Sequence, residues 1–509
     1  MKENLKSHLM KVEELIFLYQ RSSFPELEYV FKHALIQEVA YSSLLDNKRK
    51  EIHRKIGGAI EELYSSKLEE YYEILAYHYS NSDDLEKAYF YLKLAAKKAT
   101  QKYSLWEAFN YFREAIKVLN QLPATGQNRK EQLEIRLLSA PTMHVLNHPE
   151  NSLEMLQEGE RLSKELKDKD SLGIFKGKLG VYYAHHGEPL LAIGYAEKPF
   201  RKAQQGGKID FIAKTACDLC NVYYYASEFS KIIDLASKVL VLLEEKKREY
   251  DFFGFRYNVY SGLCAYTVLS SGMLGKLREA EASYRKGVQY AMEANSVYGI
   301  GLAEICYAQS LNTIGEARNA ITHCQKAINH LEQTQGVLVL GLSWGQLGYA
   351  CYLNGDLKAA RSSIERAINF QSEHGVAIYS CTNYLYLGIV HFDLGDFKKA
   401  QDCMVTSLNL SQKSKERHWE GLIKIWFGRI LRKVESTIVG NEETYILQGI
   451  NISEKLKTRP YSALGYLFLA ELYYEMGQKE NALENLQKAQ GMFQEMEMNY
   501  WLSKSQQFS

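Results

Sequence analysis

The residues of this chain that could carry redox or metal chemistry are few and scattered. Cys217 and Cys220 have the Cys-x-x-Cys spacing of thiol and metal sites. No second cysteine pair accompanies them and no strand pattern precedes them, so we interpret both as small buried side chains of a helix. The eight cysteines are dispersed, and the chain does not open on a secretion signal. This usage predicts a reducing, cytoplasmic compartment.

Four histidines occur in two close pairs, a feature that can indicate a metal site. His144 and His148 stand four residues apart, a spacing that can place two imidazoles on one side of a helix. Pro149 follows at once, and no glutamate lies between them as it does in zincins, so we predict no metal site here. His185 and His186 fall at a predicted turn and are expected to be solvated. The sequence thus predicts neither a metal nor a cofactor.

Nucleotide chemistry would need a phosphate-binding loop of the form Gly-x-x-x-x-Gly-Lys-Ser/Thr, in which backbone amides and a lysine hold the phosphates. The segment Gly272–Leu277 comes nearest, but its spacing is wrong and it lacks the hydroxyl. A metal-binding aspartate pair of the kind that cyclases use is also missing from the sequence. We therefore expect no catalytic residues and predict that this chain is not an enzyme.

A glycine that returns every 40 residues organises most of the chain, at Gly275, Gly315, Gly355 and Gly395. An alanine follows each glycine after five positions, at Ala280, Ala320, Ala360 and Ala400. A fixed period on this scale indicates stacked supersecondary units, none of which can bury its own apolar face alone.

One unit can be followed through residues 341–376. Its first helix carries apolar or small residues at i, i+3, i+4 and i+7, and its second helix carries three more. In chain order these are Trp344, Leu347, Gly348, Cys351, Ala360, Ile364 and Ala367. Gly355 separates the two helices, and a glycine there tolerates the left-handed backbone that ends a helix.

This pattern resembles the tetratricopeptide repeat (TPR), although the period is longer than the usual 34 residues. The resemblance implies an all-α, right-handed superhelical solenoid with seven or eight antiparallel helix pairs in residues 171–500. The uncharged stretch Gly336–Leu353 has the length of a membrane span, but it coincides with a repeat helix and we interpret it as buried.

The N-terminal part has a different pattern. Leu15–Tyr19 and Leu27–Phe31 are rich in β-forming residues and predict a hairpin. Helices are predicted after it, at about 33–45, 47–64, 70–80, 84–99 and 104–121. Residues 122–130 are predicted to form a turn-rich break, and an irregular insertion is predicted near Val434–Thr444.

A second resemblance is carried by the run EYVFKHALIQEVAYSSLL, Glu28–Leu45, with Arg49–His53 and Leu75–Tyr79 after it. It resembles the junction in bacterial signalling proteins that join a class III nucleotide cyclase to a STAND-type ATPase and a TPR tail. The resemblance implies a truncated winged-helix-like module in 1–65, irregular repeats in 66–122 and a helical connector in 123–170. The solenoid would occupy 171–500 and a tail 501–509.

His33 is the polar residue that this resemblance singles out. In STAND proteins the histidine of the corresponding motif contacts the β-phosphate of bound ADP. The resemblance implies a nucleotide-sensing role for His33 if an ATPase core is present, although Ala34 stands where the family usually has aspartate. The alternative is a histidine packed at a helix start.

These features favour a non-catalytic interaction and regulatory region of a cyclase/ATPase-type signalling protein. Its expected partners are a protein or peptide and, if encoded, upstream ATPase and cyclase domains. The alternatives are a stand-alone TPR adaptor and a catalytic adenylate or guanylate cyclase. A net charge of +1 gives no long-range attraction to nucleic acid or an anionic membrane, so neither is an expected partner.

The resemblance to TPR solenoids also predicts which residues face the concave groove. They lie one and four positions after the Leu-Gly position, at Gln309, Asn312, Tyr349, Tyr352, Ile389, Phe392, Glu471 and Tyr474. This set lacks the Lys, Asn and Arg arrangement of carboxylate-clamp variants. It offers aromatic and apolar surface, which suits an amphipathic helix. The alternative is that Tyr349 and Phe392 pack between neighbouring repeats.

Overall fold

A computed structural model of the chain describes Lys11 and residues 18–22, 28–433 and 441–507. These residues form 24 α-helices, one 3₁₀ helix and one two-stranded sheet. They group into two compact units. The first comprises residues 1–99 and 110–128, and the second comprises 100–109 and 129–509.

The hairpin of the first unit is antiparallel and pairs β1 (Leu18–Ser22) with β2 (Glu28–Phe31). A hairpin was predicted here, but the described first strand begins three residues later than the predicted Leu15. Leu15 and Phe17 lie outside the described residues. Helices follow at α1 (Ala34–Ser42), α2 (Asp46–Leu63), α3 (Tyr72–Ser80), α4 (Leu85–Gln101) and α5 (Leu105–Gln121).

A partly buried carboxylate joins three helices of the first unit. Glu61 of α2 accepts hydrogen bonds from Tyr79 of α3 at 2.8 Å and from Tyr91 of α4 at 2.6 Å. Lys87 of α4 donates to the same carboxylate at 2.6 Å. Charge-assisted bonds to a partly buried carboxylate are stronger than neutral ones, so this residue fixes the packing of α2, α3 and α4.

The second unit is a long array of helices. Two precede the regular repeats, namely α6 (Gly126–Val145) and α7 (Ser152–Glu165). Because α6 begins at Gly126, the break predicted at 122–130 is shorter than expected. The next helices are α8 (Lys169–His185), α9 (Pro189–Gly206), α10 (Ile209–Tyr225), α11 (Phe229–Glu245), α12 (Val259–Met273), α13 (Leu277–Glu293), α14 (Val297–Ile314), α15 (Ala317–Gln333) and α16 (Val337–Leu353). The last are α17 (Leu357–Glu373), α18 (Ser380–Asp393), α19 (Phe397–Lys413), α20 (Arg417–Leu431), α21 (Glu442–Lys455), α22 (Arg459–Glu475), α23 (Lys479–Glu495) and α24 (Asn499–Gln506).

Helices α8 to α23 form eight consecutive packed pairs, which confirms the predicted helical-repeat solenoid. The first helix of a pair is buried nearly all round, and the second on one side alone. Fourteen of the 17 residues of α16 are buried, against four of 17 in α17. The first helices therefore form an inner layer and the second helices an outer, amphipathic layer.

The uncharged stretch Gly336–Leu353 is one of these inner helices, as interpreted from the sequence. Among the described helices, none is long and apolar enough to cross a membrane. Of the insertion predicted near Val434–Thr444, residues 434–440 lie outside the described part of the chain, and α21 begins at Glu442.

The glycines of the repeat have two separate roles. Gly355 adopts a φ of 86° at the turn between α16 and α17, where a residue with a side chain would be strained. Gly348 lies inside α16, and a Cβ there would approach the Ala360 carbonyl oxygen to 2.9 Å. The second glycine therefore sets how closely the two helices of the pair approach.

Repeats far apart in sequence touch within the second unit. Lys415 forms an ion pair with Glu188 at 2.9 Å, across 227 residues. Asn147 donates to the Gly375 carbonyl at 3.3 Å, across 228 residues. These separations correspond to between five and six 40-residue repeats. The second unit thus winds back on itself, and its inner helices enclose a central axis.

Candidate partner-binding site on the inner face of the repeats

The eight predicted groove residues lie on four inner helices, α14, α16, α18 and α22. Gln309, Asn312, Tyr349 and Ile389 are buried. Tyr352, Phe392 and Glu471 are partly exposed, and Tyr474 is 57% exposed. The predicted set therefore divides into an enclosed half and an open half, and its role in partner binding stays a prediction.

The enclosed half forms a chain of polar contacts along the axis. Asn312 donates to both the backbone oxygen and the side-chain oxygen of Gln346, at 2.9 and 2.8 Å. Gln346 in turn donates to the Tyr386 hydroxyl at 3.2 Å. Gln309 reaches the Tyr224 hydroxyl at 3.4 Å. Because buried amides need partners, these bonds fix the register between neighbouring inner helices.

Tyr349 belongs to a stack of rings on the same axis. Its ring lies 4.3 Å from that of Tyr386 at an angle of 13°, and 5.8 Å from that of Tyr352 at 16°. Burial raises the pKa of Tyr349 well above its ordinary value. The packing of Tyr349 between neighbouring repeats agrees with the alternative that the sequence left open for this residue.

The open half centres on Arg429 of α20. Its guanidinium binds the Glu471 carboxylate through two bonds of 2.9 and 3.2 Å. The same group lies over the Phe468 ring at 4.2 Å and 5.9 Å from the centre of the Phe392 ring. This arrangement presents aromatic surface beside a fixed ion pair, a combination suited to an amphipathic segment.

The C-terminal helix α24 packs against the end of α14. Gly315, which ends α14, has no room for a side chain, because a Cβ there would lie 2.4 Å from the Tyr500 Cβ. Burial raises the pKa of Tyr500, and the nearby Asp393 raises it further while Arg429 lowers it. Tyr500 thus lies close to the ends of α14, α18 and α20.

A cavity lies further along the axis, lined by residues of α6, α10, α12, α14, α16 and the start of α18. About 50 Å³ of it is open to the centres of water-sized molecules. This volume holds a few waters and excludes a peptide. Its lining includes His144, Asn221, Tyr224, Tyr225, Tyr257, Tyr266, Tyr298 and Tyr379.

Hydrogen bonds also join distant repeats across the axis. The Tyr225 hydroxyl donates to that of Tyr379 at 3.1 Å, and Ser227 contacts His418 Nδ1 at 2.9 Å. These pairs are 154 and 191 residues apart in sequence and are buried. Admission of a partner along the axis would require them to separate.

The remaining candidate residues have simpler environments. Cys217 and Cys220 are both buried in α10, as predicted, and burial raises the pKa of each thiol. His33 is exposed immediately before α1 and makes no side-chain capping bond. Its proposed relation to a nucleotide stays a prediction.

The prediction for His185 was wrong. His186 is exposed as expected, but His185 is buried, because α8 continues through it before the turn at Gly187. Its imidazole meets those of His144 and His148 from the end of α6. The sequence did not indicate this meeting, since the histidines belong to different helices whose packing the repeat pattern does not specify.

Comparison with known proteins gives one match by sequence. Residues 301–509 match the family model described as the MalT-like TPR region. No curated protein matches the chain by sequence. The match covers the C-terminal repeats and agrees with the repeat pattern found there.

Several solved structures are similar in fold at low sequence identity. A Rap protein complexed with Competence and Sporulation Factor is 12% identical, with 80% of this chain and 98% of that chain covered and a TM-score of 0.46. The apo quorum sensor NprR from B. thuringiensis is 13% identical, with coverages of 72% and 99% and a TM-score of 0.45. A STAND signal-transduction ATPase with a TPR sensor from Pyrococcus horikoshii is 15% identical, with coverages of 86% and 73% and a TM-score of 0.36. The similarity to these structures concerns the fold alone.

Proposed function

We propose that this chain is a non-catalytic protein-interaction and sensor region of a signal-transduction protein of the cyclase/STAND-ATPase type. The observation that carries the proposal is the open half of the inner face, where Phe392 and the Arg429–Glu471 pair adjoin α24. The match of residues 301–509 to the MalT-like TPR region supports a TPR interaction role.

The partner is an amphipathic helix or an apolar peptide segment that uses the surface around Tyr352 and Phe392. Tyr500 of α24 lies against Gly315 at the end of α14, within electrostatic range of Arg429 and Asp393. We expect a partner on this surface to compete with α24 for space. Its apparent affinity would then be reduced by the fraction of molecules in which α24 occupies that space.

An additional domain would contact the first unit. Helix α1 has no buried residue, and apolar side chains along residues 34–63 are exposed, with Leu35 68% exposed. The others are Val39, Leu45, Ile56 and Leu63. Several exposed apolar side chains on two successive helices favour an interface. It supports the upstream ATPase domain that the sequence resemblance implies.

The test of the groove is selection of peptides from a displayed random library against the full chain. Binding of the selected peptides is then compared with a double variant, Tyr352→Ala with Phe392→Ala. We expect at least about tenfold weaker binding, because aromatic anchors dominate such interfaces. The matched control is Leu394→Ala with Val405→Ala, two exposed apolar residues outside the predicted groove set.

Circular dichroism and thermal melting accompany each variant. Weaker binding with an unchanged melting temperature supports the groove. Equal binding by both double variants contradicts it, and collapse of melting in the first would assign those rings to the core. Tyr500→Ala should tighten binding, with the exposed Ser503→Ala of the same helix as its control.

The non-catalytic part of the proposal has a separate assay. The purified chain with Mg²⁺ or Mn²⁺ and ATP or GTP should produce no cyclic nucleotide and bind neither nucleotide tightly. The physical reason is that the sequence provides no loop to hold the phosphates and no pair of metal-binding carboxylates. Metal-dependent turnover would favour the cyclase alternative.

A further inference from the structure

Three histidines from two helices converge beside the central cavity. His144 lies in the last turn of α6, His148 lies three residues after α6 ends, and His185 is the last residue of α8. Their ring centres are 5.9, 5.4 and 5.4 Å apart, close to an equilateral triangle. One side-chain nitrogen from each lies within 4.8 Å of the other two.

The local backbone is what brings His148 to this point. Asn147 and His148 both have positive φ, at 59° and 54°, and the His148 amide donates to the Met143 carbonyl at 2.7 Å. This left-handed turn ends α6 and brings His148 beside His144. Lys167 and Asn295 adopt the same conformation after α7 and α13, so this is the ordinary way in which helices of this chain end.

The imidazoles have donor and acceptor atoms without partners among the described residues. Neither ring nitrogen of His148 or His185 makes a hydrogen bond, and all four atoms are buried. His185 is 4% exposed. The Asn221 side chain lies near His185 and slightly favours its charged form, but it does not reach hydrogen-bonding geometry. Burial of unsatisfied imidazole nitrogens is costly, and coordination of an ion would remove that cost.

The charged groups around the cluster bear on whether a cation can bind there. The charged groups nearby are His186, when protonated, and Lys178, and Lys178 is ion-paired with Asp218 at 2.7 Å. The positive charge that a cation would meet is thus partly compensated.

We propose that His144, His148 and His185 bind one divalent transition-metal ion beside the tyrosine-lined cavity. Three nitrogen ligands favour Zn²⁺, Cu²⁺, Ni²⁺ or Fe²⁺ over Mg²⁺ and Ca²⁺, which prefer oxygen. At the bond length of about 2.0–2.1 Å for Zn–N, each nitrogen would move by less than about 1 Å to share one ion.

The cavity is adjacent to the cluster through His144, which belongs to both, whereas His148 and His185 are not part of the cavity lining. Sites with three protein ligands commonly keep a fourth position for water or a small oxygen donor. The metal site and the groove around Phe392 use different residues. The metal proposal and the groove proposal can therefore fail separately.

The test uses the full chain after removal of metal with a chelator. Zn²⁺ is titrated against a chromophoric competitor, and bound metal is counted by elemental analysis after gel filtration. We expect one tightly bound ion per chain. His148→Ala and His185→Ala should each weaken binding by at least about 100-fold, since loss of a ligand exceeds the 10- to 100-fold cost of losing an outer partner.

His186→Ala is the matched control, because this adjacent histidine is exposed and its Nδ1 contacts the Tyr182 carbonyl at 2.7 Å. It should retain the ion. Co²⁺ provides a second readout, since a low-coordinate nitrogen site gives strong visible absorption that the His148→Ala variant should lose.

A misfolded variant is recognised by its melting curve without metal. If either alanine variant fails to fold, His148→Gln and His185→Gln replace it in the same titration. Less than one tightly bound ion in the wild-type chain would overturn the proposal. Retention of the ion by folded His148 and His185 variants would also overturn it, and so would equal loss in His186→Ala.

Discussion

At the scale of single residues, the second unit buries ionisable side chains of types that are usually exposed to water. Glu416, just before α20, is buried, and burial raises its pKa to about 7. One carboxylate oxygen accepts from Ser414 at 2.7 Å, and Cys381 and the Tyr379 backbone also lower the pKa, but less than burial raises it. The residue therefore favours the protonated state in the folded chain.

The pH dependence of stability follows from that shift. The pKa of Glu416 is about 7 when folded and 4.5 when unfolded, so its protonation stabilises the fold in acid and this contribution is lost between pH 4.5 and pH 7. The free energy of unfolding of the Glu416→Gln variant should equal that of the wild type near pH 4.5. Above pH 7 it should be higher than that of the wild type by about 3 kcal/mol. Chemical denaturation at several pH values measures this difference. A difference that does not change with pH would show that the pKa of Glu416 is the same in the folded and unfolded chain.

At the scale of the element, the helix pair depends on small residues at points of closest approach. A Cβ on Gly348 would lie 2.4 Å from Ile364 Cγ1 as well as against the Ala360 backbone. The Ala360 carbonyl oxygen cannot move without shifting α17, and Ile364 would have to change its rotamer. The inner and outer helices of this pair are thus held at a distance that only glycine permits.

Gly348→Ala should lower the free energy of unfolding by about 1–3 kcal/mol, the usual cost of overpacking. Ala360→Leu, on the facing helix, should cost a similar amount. The control is Gly491→Ala in α23, where no atom lies within 4 Å of the added Cβ. That change should stabilise the chain by about 0.5–1 kcal/mol through helix propensity. Equal effects of the two alanine substitutions would contradict this account.

At the scale of the whole molecule, burial is distributed unevenly along the chain. Helix α1 has no buried residue, whereas the inner helices α12, α14 and α16 are buried on nearly every side. Local opening requires less free energy where few apolar contacts must be broken.

Amide hydrogen exchange should therefore be fastest, among the helices compared here, in residues 34–63. It should be slowest in residues 259–353, which contain α12, α14 and α16. Mass spectrometry of peptic fragments from the full chain measures both regions in one experiment. Protection of residues 34–42 equal to that of 337–353 would mean that a partner, or a second copy, covers α1 in solution.

The repeat architecture was determined by the sequence because its signal is local and recurs. The 40-residue spacing of Gly275, Gly315, Gly355 and Gly395 fixes where pairs turn, and apolar spacing within each unit fixes which faces pack. The eight pairs and the buried state of Gly336–Leu353 followed from these patterns without any long-range information.

The contacts across the axis were decided only by the tertiary structure. Tyr225 meets Tyr379, Tyr500 meets Gly315, and His185 joins His144 and His148. The first two pairs are 154 and 185 residues apart, so their contact depends on small rotations between successive repeats that add up over about four units. The histidines are about one unit apart, and their contact depends on how α6 packs beside α8. A sequence pattern of nearest-neighbour packing contains no measure of that summed rotation. For this reason the repeat pattern located the inner helices but could not show how far they enclose the axis.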